Sequence, residues 1–312
     1  MARSSRRAPA RRSSASGPAN TRPPTLPQDE VETSTGRVRV DRDPDRDSAV
    51  TLVVNGVPSS HLDLDDPGFL AFEYMQQMAA AIDLVDGPLH AVHLGAAGCT
   101  LARWIDHERP GSRQLAVDID GRLLTLVREW FALPRAPRLR LREADARAAV
   151  TTLRPGSTDV VVRDVFAGDV TPEHVTTVEF VQEVARTLRP GGLYLANCAD
   201  RPPLTGLRTE IASLLAAQDD AGAPVFRPQD VGVVAEPALF KSRRYGNFVL
   251  VARARAAGDD GTAESGEAGG LADTGLARAL RSLPVPARLV SGTEAVALCA
   301  GARPRVDPAP PA

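Results

Sequence analysis

Apolar positions along the chain follow first a two-residue and then a helical period, and the switches between them divide it into units. Val50-Thr-Leu-Val-Val54 runs into Asn55-Gly56, a dipeptide that favours a two-residue hairpin turn, so 37–64 reads as a small hairpin or meander. Order is expected to begin near Val50, because residues 1–47 are mostly Arg, Ser, Pro, Thr and Asp with little to bury, and are expected to be a disordered tail. Asp65-Asp66-Pro67 is expected to cap a helix in which Phe69, Leu70, Phe72, Met75, Met78 and Ile82 recur at helical spacing, leaving Glu73, Gln76 and Gln77 on other faces.

From Gly87 short apolar runs alternate with helical patterns, as in a parallel sheet covered on both faces. The runs lie at 91–94, 115–117, 138–142, 159–162 and 193–197, and between them come helices marked by Leu101, Trp104 and Ile105, by Leu123 to Phe131, and by 173–188. Arg189-Pro190-Gly191-Gly192 is expected to end the third of these helices, and Leu204 to Ala217 is a further helix. Val231 to Ala235 and Phe248 to Ala252 fit two last strands, for which antiparallel pairing stays open. The expected fold is therefore α/β, a doubly wound, Rossmann-like, seven-stranded sheet preceded by a small N-terminal β-unit. The expected divisions are a tail over 1–47, a hairpin and helix over 48–86, a nucleoside-binding domain over 87–253 and a Gly/Ala/Asp/Glu linker over 254–270. A C-terminal extension over 271–312, holding one more helix, a short strand and a Pro-rich end, completes the chain.

Sheets of this kind bind ligands outside the carboxyl ends of their strands. Gly95, Asp118, Asp145 and Asp164 fall at four successive strand ends. A single acid there is explained by capping the next helix; four polar strand ends in one line point to a site. The first strand breaks at Gly95-Ala96-Ala97-Gly98, whose small residues let the backbone approach a ligand before a helix N-terminus, and the next ends on Asp118 and Asp120. An acid at that tip can accept bonds from both hydroxyls of a ribose, so the ligand is expected to contain adenosine. A nicotinamide dinucleotide fits less well, because the loop lacks the G-x-G-x-x-G spacing.

Charge changes the picture by exclusion: 37 basic against 39 acidic residues leave no positive field to hold nucleic acid or an anionic membrane. No apolar run approaches the roughly 20 residues of a membrane span, and the Arg-rich start lacks the apolar core of a signal peptide. Cys99, Cys198 and Cys299 are too scattered for a CxxC motif or a disulfide framework, which fits a reducing cytoplasm. His90 and His93 would face opposite sides of a strand with no third ligand, so no metal is expected. Cys99 reads as a packing residue although it lies by a helix N-terminus, Arg243 and Arg244 as a solvated turn, and Trp104 and Trp130 as core.

These residues together resemble the spermidine synthases, aminopropyltransferases built on the class I AdoMet-methyltransferase-like fold with a small N-terminal β-domain. The resemblance runs from about Val50 to Ala252: Val53-Val54-Asn55-Gly56 is similar to the family's N-terminal hairpin, Val117-Asp118-Ile119-Asp120 to its V-E-I-D, and Ala144-Asp145-Ala146 to its G-D-A. Tyr74 falls where a family helix carries a Tyr lining the polyamine pocket, and Asp164 where the catalytic Asp opens a D-S-x-D-P loop. The resemblance implies that Gly95, Ala96 and Gly98, with Asp118, Asp120, Asp145 and Ala146, bind the nucleoside, Asp118 at the ribose and Asp145 at the adenine amine. It implies that Asp164 holds the attacking amine, with Tyr74, Glu73 and Asp169 toward a small-molecule amine acceptor, and that the protein is a dimer through its N-terminal unit. The co-substrate implied is decarboxylated S-adenosylmethionine or S-adenosylmethionine. Three departures stand out: Gly98 where the family has an Asp for the aminopropyl nitrogen, Asp164-Val165-Phe166-Ala167-Gly168-Asp169 in place of D-S-x-D-P, and Ser59 or Ser60 in place of a Gln. Three readings follow: aminopropyl transfer to a polyamine such as putrescine, AdoMet-dependent methyl transfer, or a non-catalytic nucleoside-binding module.

Overall fold

The computed structural model describes residues 25–241, 244–255 and 270–309; most of the expected tail and linker, and Arg243, lie outside the described residues. The chain opens with a four-stranded antiparallel sheet, β1 (Val31–Glu32), β2 (Arg37–Arg42), β3 (Ala49–Val54) and β4 (Val57–Asp63), paired in that order. Asn55 and Gly56, both at positive φ (50° and 82°), make the turn between β3 and β4. Order begins well before Val50, which corrects the sequence reading of 1–47. In Arg37-Val-Arg-Val-Asp-Arg42 the alternation buries Val38 completely and puts Arg37, Arg39 and Asp41, which disguised the strand, on its other face.

The first helix, α1 (Glu73–Ile82), also starts later than expected. Asp66 and Asp63 accept backbone N–H groups of their own turn, from Gly68 and from Asp65 and Asp66, so neither acid caps a helix. Gln77, expected on an outer face, is buried.

The main sheet is built from β5 (His90–Leu94), α2 (Thr100–Glu108), β6 (Arg113–Asp118), α3 (Gly121–Trp130), β7 (Leu139–Glu143), α4 (Ala146–Thr151) and β8 (Thr158–Arg163). It continues through α5 (Val178–Thr187), β9 (Leu188–Asp200), α6 (Thr205–Ala216), β10 (Val231–Ala235), β11 (Gly246–Arg253), α7 (Leu276–Arg281), β12 (Arg288–Ser291) and α8 (Thr293–Leu298). The strand order is β12-β10-β11-β9-β8-β5-β6-β7. The five strands from β9 to β7 are parallel and the three at the other edge antiparallel. The sheet thus has the seven strands expected and an eighth, β12, from the C-terminal extension.

Alternation along the strands divides the core. Val92, Val161, Tyr194 and Leu250 face α5 and α6, whereas Ala91, Val160, Val162 and Leu195 face α1, α2 and α7. A third cluster joins the N-terminal sheet, through Val38, Leu52 and Leu62, to α3 and Trp130. Winding reverses at β5: β6 and β7 are laid on one side of it and β8 and β9 on the other. A crevice between the ends of β5 and β8 is the consequence.

Candidate functional site

At this switch point two chain segments touch. Asp164 N donates to Leu94 O (2.8 Å), and a Cβ at Gly95 would lie 2.1 Å from the Asp164 carbonyl oxygen. Only glycine fits at 95, where φ is also +79°.

Past Gly95 the loop is stapled to the tip of β6. Ala96 N and Ala97 N both donate to Asp118 Oδ2 (3.1 Å each), and Asp118 Oδ1 accepts from Asp120 N (3.0 Å). Asp118 stays half-buried at the crevice; the two loop amides fill Oδ2, and Oδ1 keeps lone-pair capacity for one further donor. Gly98 turns the other way: its N–H donates to Ser60 Oγ (3.0 Å), and a Cβ there would lie 2.7 Å from Ser60 Cβ and 3.1 Å from a Leu62 methyl. It belongs to the seam with β4.

Asp120, placed by sequence beside Asp118, is committed elsewhere. Its carboxylate caps α3 at Leu123 N (2.8 Å) and takes Ser34 N (3.0 Å), Thr35 N (2.9 Å) and Thr35 Oγ1 (2.7 Å) from the β1–β2 turn. Burial opposes its charge, but these donors outweigh burial and hold the carboxyl well below its ordinary range. The nucleoside role implied for Asp120 is therefore corrected to a structural one, docking the N-terminal sheet.

Asp145 caps α4 at Ala148 N (2.9 Å), and its Oδ2 lies 2.8 Å from His174 Nε2. Burial works against this anion too; the Ala148 N–H and the imidazole prevail and keep the carboxyl below the usual range. Ala146 is buried in the first turn of α4.

Across the crevice Asp164 has different company. Oδ2 accepts from Tyr74 OH (2.9 Å) and Oδ1 from Asn197 Nδ2 (2.9 Å). Burial pushes the Asp164 carboxyl above its ordinary value, against the pull of Asn197, Tyr74 and the Arg163 charge, and burial beside Asp164 drives the Tyr74 phenol well up. Asn197 is buried, yet its Oδ1 has no donor, and neither has Oε1 of buried Gln77, one turn along α1 from Tyr74. Beneath, on the other face of the sheet, buried Arg163 pairs with Glu210 and donates to Tyr194 OH (3.2 Å).

Glu73 and Asp169 are not drawn to this cluster. Both are exposed, and no hydrogen bond or ion pair among the described residues joins either side chain to Asp164 or Tyr74. Residues 165–172 close on themselves through paired bonds between Ala167 and Val170 (2.9 and 3.4 Å), and Tyr245 OH donates to Asp169 O (3.0 Å). Sequence reasoning missed Asn197 and His174; the first ended an expected strand next to Asp164, and the second gave no signal. His93 is buried against Gln114 with its pKa lowered to about 4, and the Cys99 thiol is pushed up to about 12 by burial, so neither is poised to react. Among the described residues no three His, Cys, Asp or Glu side chains gather as metal ligands. A cavity of about 570 Å³ between α1, α2 and α7, lined by Leu70, Ala80, Trp104 and Leu283 among others, is lined by none of these strand-end residues.

The reversal at β5, the glycine turn and the acids beyond the strands define the AdoMet-methyltransferase-like class. Residues 92–196 match the methyltransferase domain family. Over 92% of its length the chain superimposes on 98% of a probable spermidine synthase from Corynebacterium glutamicum, with TM-score 0.77 and 36% identity. It belongs to the spermidine synthase family. It is also 34% identical over 139 residues to the polyamine aminopropyltransferase of Chromobacterium violaceum, covering 44% of this chain and 53% of that protein, so the match spans about half the relative's length. The eEF1A lysine and N-terminal methyltransferase of Mus musculus is 28% identical over 153 residues, 44% of this chain and 22% of that protein. Among the described residues no helix is long and apolar enough to cross a membrane.

Proposed function

We propose that the chain is an aminopropyltransferase, moving an aminopropyl group from decarboxylated S-adenosylmethionine to a small amine such as putrescine. The observation that carries this reading is Asp164, half-buried at the switch point between two neutral donors, Tyr74 OH and Asn197 Nδ2. An alkyl ammonium with a pKa near about 10 is almost wholly protonated at neutral pH and cannot attack until it loses a proton. A carboxylate raised by burial is closer in affinity to that proton than an ordinary one, and the donor-free Oδ1 of Asn197 beside it suits a second N–H of the same amine. The amine lone pair then forms a bond to the aminopropyl carbon next to sulfur while the C–S bond breaks. Its electron pair passes to sulfur, leaving neutral methylthioadenosine, and the ammonium proton goes to Asp164. In this reading Asp118, fixed by two loop amides on Oδ2, takes a ribose hydroxyl on Oδ1, and Asp145 takes the adenine amine. Free, buried Cys99, Cys198 and Cys299 suit a reducing cytoplasm.

One observation favours methyl transfer as a second reading. The space beside Gly98 is filled by Ser60 and Leu62, so position 98 holds no acid for an aminopropyl nitrogen. Calorimetry with decarboxylated S-adenosylmethionine, S-adenosylmethionine and methylthioadenosine separates the readings. Tighter binding of the decarboxylated donor, with methylthioadenosine released when putrescine is added, supports aminopropyl transfer. A preference for S-adenosylmethionine moves the assignment to the second reading, and binding without product leaves only a nucleoside-binding module.

A further inference from the structure

The segment that follows α8 is bonded to the main domain along its length. Ala300 O accepts from Arg208 Nη2 (2.6 Å), Arg305 N donates to Ser213 Oγ (3.0 Å), and Arg305 O accepts from Val178 N (2.8 Å). The Arg305 guanidinium donates to Thr176 Oγ1 (2.6 Å), and Asp307 N donates to Glu179 Oε2 (2.9 Å). The strap thus runs from α6 past the start of α5 and reaches α4. There Asp307 meets both arms of the Arg147 guanidinium. The same Arg147 Nη1 donates to the carbonyl of His174 (2.9 Å) and to Thr177 Oγ1 (3.1 Å). His174 in turn places its Nε2 2.8 Å from Asp145 Oδ2. A chain of direct bonds therefore runs from the strap to the acid expected at the purine end of the crevice.

We propose that Asp307 and Arg147 are positioning residues for that end: the C-terminal strap fixes the loop that carries His174, and so fixes the carboxylate of Asp145 on which the purine amine is received. A two-pronged guanidinium–carboxylate pair is directional, and this one is three-quarters shielded on the Arg147 side, so it holds geometry better than an exposed pair would. With Asp145 Oδ1 committed to Ala148 N, the orientation of Oδ2 rests on His174, whose backbone Arg147 holds. The inference rests on the crevice taking an adenosine-containing ligand and is indifferent to which group is transferred.

The test is a double-mutant cycle on the full chain, read by calorimetry with methylthioadenosine and S-adenosylmethionine. Asp307→Asn is expected to weaken nucleoside binding about tenfold in the wild-type background and less than twofold beside His174→Ala, because the two substitutions break one chain of contacts. At saturating donor, kcat and the KM for the amine are expected to stay within about twofold of wild type, and Asp307→Glu, which keeps the ion pair, to restore most of the affinity. An equal effect of Asp307→Asn in both backgrounds, or none in either while the wild type binds normally, would overturn the proposal. A wild-type protein that binds neither nucleoside overturns the adenosine reading, and this inference with it.

Discussion

Asp145 and Asp164 stand at the two ends of one row of four strands, β7 and β8 being its outer members, and they differ in what surrounds the same functional group. Asp145 is part-exposed, held by a helix N-terminus and an imidazole, and its carboxyl is pulled below the ordinary range. Asp164 is likewise half-buried but held only by a phenol and an amide, and desolvation pushes its carboxyl up. The first environment fixes a permanent anion, suited to receiving hydrogen bonds from a ligand. The second leaves an acid whose protonation can change, suited to receiving a proton. In the proposed reading, binding and proton transfer are separated along the crevice by what each carboxylate touches.

That contrast breaks most sharply at Asp164. Replacing it with Asn should lower kcat for amine transfer by about a thousandfold, the order expected for loss of a general base, while nucleoside affinity stays within about twofold. Parallel calorimetry and methylthioadenosine release would read both. At the binding end, Asp118→Ala removes the acceptor of two loop amides and of the proposed ribose contact; nucleoside affinity should fall about thirtyfold. Unchanged affinity would restrict Asp118 to holding the loop.

Tyr74→Phe should cost about tenfold in kcat and leave a signature in pH. The phenol bond lowers the Asp164 pKa, so its removal raises that pKa further and moves the acid limb of the kcat/KM profile to higher pH. An acid limb that stays in place would dissociate Tyr74 from the base. The smallest effect is on stability, and it has opposite signs at the two ends. Asp145→Ala should cost about 1 kcal/mol at neutral pH through the lost cap, whereas Asp164→Asn should gain about 1 kcal/mol, since it removes a charge that its half-buried surroundings disfavour. Asp145, held low when folded, contributes stability above its unfolded pKa that is lost as pH falls through the folded value. Asp164, held high, costs stability at neutral pH, and that cost fades as pH falls through its folded pKa toward the unfolded one. Urea titrations of both variants at neutral and acidic pH would show the two trends diverging.

Much of this arrangement could be read from the residues because it is local. The run from His90 to Asp120 carries strand, turn, helix and acid within one stretch, and the alternation of strands and helices marks a doubly wound sheet with its crevice outside the strand ends. What escaped was decided across the fold. Asp118 and Asp120 are two residues apart and chemically identical, and only docking of the β1–β2 turn separates a crevice acid from a structural one. β2 falls inside both the 37–64 hairpin or meander and the tail over 1–47, because its charged positions read as disorder where alternation was the stronger signal. His174 and the strap ending at Asp307 became visible only when segments some 130 residues apart proved to be bonded neighbours, and no pattern along the chain announces such a contact.

The most direct test of the assignment is product analysis by mass spectrometry after the wild-type protein is incubated with decarboxylated S-adenosylmethionine and putrescine. The expected result is one methylthioadenosine for each aminopropylated amine, with both products all but absent from Asp164→Asn protein that still binds the nucleoside. Equal product from that variant, or wild-type protein that only methylates amines from S-adenosylmethionine, would contradict it.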